Sequence, residues 1–221
     1  MLKFRLSAVA ALLACLVVLG QVLPAQDGGE ETAALTNEVA AQEWAGKGAP
    51  GEIHAKLAEH AGTWDVTVTL FDKDAEGQPV AIAECKGQST FEMTLNGRFL
   101  RQTCWCDMGP MGRMEGVGYL GYNSDAGQYE SVWMDNMSTA MMRGTGYFNE
   151  ADQEFVETAQ LYLAKTDGFV TIKNTFKHRE DGSMLMVMRE MREGNPWAKK
   201  MEIVYTRPGG APAAPAAAPA Q

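Results

Sequence analysis

The feature that most constrains this chain is the stretch from Gly62 to Arg207, where apolar and polar residues alternate in short runs separated by Gly, Asn and Asp turns. Alternation with a period of two belongs to strands, and almost no segment here repeats at the helical period. Trp64, Val66, Val68 and Leu70 alternate with Asp65, Thr67 and Thr69, which gives one inward and one outward face. Further strands are expected at Arg113 to Tyr122, Gln128 to Met137, Thr139 to Phe148, Glu154 to Leu163, Phe169 to His178, Met184 to Arg192 and Ala198 to Thr206. Turns fall at Asn123 to Gly127, Asp167-Gly168, Asp181-Gly182 and Gly194-Asn195-Pro196. Connections this short make sequence neighbours antiparallel neighbours. About ten such strands are expected to close into an all-β, antiparallel, up-and-down barrel, which removes exposed edges and can leave room for one small ligand.

One hairpin sets a register. Asn96-Gly97 is a strong two-residue turn signal, because both central positions of a type I′ turn need positive φ. Pairing Leu95 with Arg98 puts Phe91, Met93 and Leu95 on one face with Leu100, Cys104 and Cys106, and Cys85 lies on that face as well.

The flanks have different compositions. Lys3 and Arg5 precede an apolar run from Leu6 to Leu23, and Leu23-Pro24-Ala25 closes it as a secretory leader over residues 1–25 would. An uncleaved anchor and a lipoprotein are the rival readings, the latter resting on Leu12-Leu13-Ala14-Cys15. It is weakened by Leu16 to Leu19, which continue the apolar run. An exported protein, periplasmic or extracellular, is the expectation, touching a membrane only through this segment if it is retained or lipidated. Residues 26–50 form an acidic linker, within which Glu31 to Ala45 has the composition of a helix. Pro50-Gly51-Glu52 opens a short helix with Ile53, Leu57 and Ala61 on one face. Residues 51–207 form the barrel domain. The Ala/Pro tail, 208–221, has too little apolar surface to offset its ordering entropy and is expected to be disordered. The formal net charge is −9, and losing Lys3 and Arg5 with the leader makes it two units more negative. Such a surface repels phosphate backbones, so nucleic acid is not an expected partner.

His54 and Leu57 before Gly62-Thr63-Trp64-Asp65, then Gly97-Arg98-Phe99-Leu100, Gly116-Val117-Gly118-Tyr119-Leu120-Gly121-Tyr122-Asn123, Trp133-Met134-Asp135 and Met201-Glu202-Ile203-Val204-Tyr205-Thr206-Arg207 resemble the bacterial domain-of-unknown-function 1579 family. The resemblance covers about Pro50 to Arg207. It implies a calycin-like or lipocalin-like barrel, often exported, with no established activity. The Gly-x-Trp of the first strand is similar to the lipocalin signature, where the Trp plugs one end of the barrel. The chain departs from the family pattern between Leu163 and Asp167.

Several constellations invite a chemical reading. Gly116-x-Gly118-x-x-Gly121 has the letters of a dinucleotide fingerprint but sits inside a strand with no helix after it, so glycines that let strands bend at a barrel corner explain it better. His54 and His60 are six apart, poor spacing for two metal ligands on one helical face. No nucleophile elbow accompanies a Ser, His and acid set, and no residue pattern supports an enzymatic mechanism or a cofactor. Trp133 and Asp135 share a strand face, and Arg98, Arg101, Arg113 and Arg143 offer positive partners. This set is read either as a polar anchor for a ligand head group or as an ion pair closing a barrel end.

Methionine is abundant, from Met108, Met111 and Met114 through Met134, Met137, Met141 and Met142 to Met184, Met186, Met188, Met191 and Met201. Such side chains suit a cavity that accepts variable apolar shapes, and the expected partner is a small apolar molecule bound without covalent chemistry. Beside Cys104-Trp105-Cys106 they also suggest a Cu(I) or thiol-redox protein built on Cys85, Cys104, Cys106 and Met108. An interaction module without a ligand is the third reading. With Cys15 in the leader, three cysteines remain in the domain, an odd number for an oxidising compartment. The hairpin register sets Cys85 opposite Met108 and diagonal to Cys106, at about 7 to 8 Å, so a bridge needs strong twist or a bulge. Cys85 to Cys106, or to Cys104, is the expected bridge; oligomeric state is left open.

Overall fold

The computed structural model describes residues 48–163, 168–192 and 196–210. Residues 1–25, where a leader is expected, most of the 26–50 linker with the helix expected at Glu31 to Ala45, the Asp167 and Gly194-Asn195 turn positions and most of the tail lie outside the described residues. A helix α1 (Glu52–Ala58) is followed by ten strands: β1 (Gly62–Lys73), β2 (Pro79–Thr94), β3 (Phe99–Asp107), β4 (Arg113–Asn123), β5 (Gln128–Asp135), β6 (Met142–Asn149), β7 (Glu154–Leu163), β8 (Gly168–His178), β9 (Met184–Met191) and β10 (Ala198–Thr206). Each strand pairs antiparallel with its sequence neighbours, and β1 pairs with β10 to close the barrel. The protein is therefore an all-β, up-and-down barrel with one short helix.

Alternation and register together decide what faces inward. Trp64, Val66 and Val68 of β1 are buried, and ladder partners share their side: Val66 opposes Tyr205, Val68 opposes Cys85 and Ile203, and Leu70 opposes Met201. Following the ladders around the wall places Phe91, Leu100, Tyr129, Phe155, Phe176, Met184 and Met186 inside as well.

One end of the barrel is sealed. His54 and Leu57 of α1 are buried, and Ile53 packs on the same apolar cluster. Gly51 N–H donates to His54 Nδ1 at 3.0 Å, so this histidine caps its own helix. Burial, aided by Arg98, holds the His54 pKa below the ordinary range. Trp64 is 1% exposed and donates from Nε1 to the His60 carbonyl at 2.9 Å. The Arg207 guanidinium lies 3.7 Å from the Trp64 ring and donates to the Ala61 carbonyl at 2.9 Å, tying the residue after β10 to the one before β1. Gly62 makes this possible: its φ is +112°, and a Cβ there would meet Arg207 Nη1 at 2.5 Å.

Some boundaries differ from the sequence expectation. The β2–β3 register is as expected, but the ladder ends at Thr94 and Phe99. Leu95, Asn96 and Gly97 all have positive φ, Arg98 N–H donates to the Thr94 carbonyl, and Leu95 projects into solvent instead of joining the inner face. β5 stops at Asp135, because Asp135 Oδ1 accepts the Met137 N–H while Asn136 accepts from Glu115 N–H and donates to the Arg113 carbonyl. These bonds turn the chain, and Thr139 to Met141 fall in the connection rather than in β6. Pro208–Gly210, expected to be disordered, forms a short turn around a left-handed Gly209.

Candidate functional site

Up-and-down order sends the β1–β2, β3–β4, β5–β6, β7–β8 and β9–β10 connections to the end opposite α1. The interior differs between the two ends. Next to α1 the inward Trp64, Val66, Phe91, Leu100, Tyr129, Met184, Met186 and Tyr205 are buried. Toward the other end Leu70, Met114, Trp133, Met142, Leu161, Met188 and Met201 face inward yet keep partial exposure, while Cys106, Val170 and Ile172 are buried there. Exposed apolar side chains ring this open end: Val80, Met111, Met137, Met141, Phe169 and Trp197 sit in or beside all five connections. The wall here is largely apolar, with four methionines in it.

Glycines set the shape of that wall. A Cβ on Gly116 would stand 2.3 Å from the Trp133 ring and one on Gly118 2.8 Å from it, so the indole lies flat on a side-chain-free band of β4. Gly121, on the outer face, does the same for Phe99. The Gly116-x-Gly118-x-x-Gly121 motif is thus a bed for two rings, a more specific role than strand bending.

The structure separates most of the expected charged set. Trp133 and Asp135 face inward together, with Trp133 Nε1 donating to Asp135 Oδ2 at 2.9 Å. The arginines are not brought to them. Arg113 is on the outer wall, paired with Glu115 and 4.2 Å from the Trp105 ring. There it borders a shallow outer hollow of about 280 Å³ with Gln88, Thr90 and Thr103. Arg143 is exposed on the outer face of β6, and Arg98 donates to the Leu95 carbonyl in the hairpin. Among the described residues Asp135 has no ion pair.

A buried polar cluster that composition did not single out lies deeper. Glu157 is 8% and Asn174 5% exposed. Ser131 Oγ and Asn174 Nδ2 both donate to the Glu157 carboxyl group, the latter at 2.7 Å. The strand between Ser131 and Glu157 carries no side chain at that level: a Cβ on Gly144 would stand 2.8 Å from Ser131 Oγ and 3.0 Å from Glu157 Oε1. The readable signal was parity, since Glu157 shares its phase with Phe155, Ala159 and Leu161.

The sulfur atoms are arranged as follows. Cys85 is bonded to Cys106, with Cα atoms 6.0 Å apart, although the register sets Gly87 opposite Cys106. The diagonal is shortened at Gly87, where a Cβ would lie 1.8 Å from the Trp105 carbonyl oxygen; only a bare backbone allows the strands so close. Cys104 is free, and burial, reinforced by the Asp135 charge, raises its thiol pKa to about 11 against a bond to the Gly116 backbone. Met108, outside the bridge, lies in the β3–β4 connection. At the sealed end the His60 and His178 rings stack 5.0 Å apart. Among the described residues no three or more His, Cys, Asp or Glu side chains gather as metal ligands would.

No curated protein matches this chain. A solved structure, a redesigned beta barrel, aligns over 70% of this chain and 94% of its own, at 13% identity and a TM-score of 0.33, too loose a likeness to place any residue. A family model described as "Protein of unknown function (DUF1579)" matches residues 49–207, and on that match the chain belongs to this family.

Proposed function

We propose that this protein is an exported barrel that binds a small, largely apolar molecule without covalent chemistry, taking it in through the end opposite α1. The observation that carries the reading is the contrast along the barrel axis. Apolar side chains are buried beside α1, whereas inward methionines, leucines and Trp133 remain partly exposed toward an apolar rim. Pockets for such ligands are mostly apolar, with a few convergent polar groups. Export is supported by the leader-like composition of residues 1–25.

The test uses Trp133 as reporter. Titration with N-phenyl-1-naphthylamine is expected to raise probe emission and quench tryptophan fluorescence, and Trp133→Leu should remove most of the quenching. Absence of saturable binding would defeat the proposal. The exposed rim favours a second reading, an interaction module docking through Met111, Met137, Phe169 and Trp197. Substituting these four by Ser would then abolish partner capture while leaving probe binding in place. The Cu(I) reading loses two of its three thiolates to the Cys85–Cys106 bond.

A further inference from the structure

We propose that Ser131, Glu157 and Asn174 form a head-group site, and that the molecule it takes is an apolar amine, held by its protonated nitrogen. This rests on the reading of the barrel as a binder of apolar molecules and adds the chemistry of the polar end. The Glu157 carboxyl group receives two hydrogen bonds, from Ser131 and Asn174, both uncharged donors. Among the described residues no Lys, Arg or His stands within ion-pair distance of it. Buried acidic groups are ordinarily matched by a cation or a full set of donors. Here the cation is lacking.

Asn174 adds a second deficit. Its Nδ2 is committed to Glu157, which fixes the amide orientation, and its Oδ1 is buried with no hydrogen-bond partner. The cluster is therefore rich in acceptors and short of donors. An ammonium group brings three N–H donors and a positive charge, the two things missing. A hydroxyl brings one donor and no charge, and a carboxylate or phosphate head group is repelled.

The surroundings suit an apolar tail. In the ladder Gly146, Glu157, Asn174 and Met188 are successive neighbours, and Ala159, Val170 and Ile172 form an apolar cluster toward the open end with Met142 and Leu161. On the α1 side the Tyr129, Phe155 and Phe176 rings form a continuous chain of contacts. The polar site thus lies between an aromatic floor and the apolar half that reaches the mouth.

Isothermal titration of the full-length protein with dodecylamine, dodecanol and dodecanoate, each below its micellar concentration, separates the head groups on a common tail. Dodecylamine is expected to bind roughly tenfold more tightly than dodecanol, from one charge-assisted hydrogen bond or more, with dodecanoate weakest. Glu157→Gln should cost the amine that tenfold and leave dodecanol unchanged, which also reports an intact interior. If Glu157→Gln fails to melt cooperatively, Asn174→Leu is the second variant, expected to weaken the amine more than the alcohol. Equal binding of amine and dodecanoate, or tight amine binding by both variants, overturns the head-group site while the apolar-binder reading stands. If none of the three molecules binds, that reading falls and this inference with it.

Discussion

Reducing the Cys85–Cys106 bond should destabilise the barrel by an amount that its loop length sets. The bond joins positions 21 apart in sequence, and the chain-entropy relation for a loop of that size gives about 3 kcal/mol. For a domain of roughly 160 residues this corresponds to a fall in Tm of about 10 °C. The assay is thermal or urea unfolding followed by circular dichroism, with and without a strong reductant, alongside thiol counting in denaturant. The full chain should show two thiols, Cys15 and Cys104, and a chain lacking residues 1–25 should show one. In the native protein Cys104 should resist labelling near neutral pH, because its thiol pKa is raised to about 11 and its side chain is partly buried within the barrel wall. Finding Cys85 and Cys106 as free thiols in unreduced protein would refute the pairing. A transition unmoved by reduction would refute the entropic argument.

Gly87→Ala places a methyl where the Trp105 carbonyl stands 1.8 Å away, so the strands must part; the expected results are a lower Tm and a bridge more readily reduced, read by thiol release at fixed reductant. Gly116→Ala should lift the Trp133 indole from β4 and disturb its bond to Asp135, seen as a changed near-ultraviolet circular dichroism spectrum with the far-ultraviolet spectrum retained. His60 should make the fold acid-sensitive. Burial first, then the neighbouring His178 and Arg207, lower its pKa from 6.5 to about 4, so below pH 6.5 the unfolded chain takes up a proton that the folded one refuses. Stability is then full above 6.5 and falls by about 3 kcal/mol as the pH drops toward 4; His60→Phe should flatten that slope in urea midpoints, and an unchanged slope would exclude His60 as its source.

Local rules read much of this fold from the chain. Alternation from Trp64 to Leu70 marked the inner face of β1, and Asn96-Gly97 set a register that holds from Thr94 to Lys86, even though the turn itself is built from three left-handed residues. The boundaries of β7 and β10 follow directly from where alternation stops. The candidate site was less accessible. Trp133 and Asp135 are legible because they lie two apart on one strand. Glu157 is not, because its partners come from two other strands, Ser131 by way of a glycine that leaves the space open. Charge alone groups the arginines with Asp135, whereas parity puts Arg113 beside Glu115 on the outer wall, out of phase with inward Met114. His60 and His178 meet only because the barrel closes, a contact no local pattern encodes.

The seam between β1 and β10 has a kinetic consequence. Every other pairing joins strands adjacent in sequence, so nine ladders can zip with small loops, but Val66 must find Tyr205 across almost the whole domain. Loop-closure entropy grows only slowly with length, yet it must be met before any contact of the seam repays it. Closing the ring is therefore the step expected to limit the folding rate. Until it occurs the curled sheet presents two unpaired edges, one at each terminus of the domain, the state in which a second chain can add itself to the sheet.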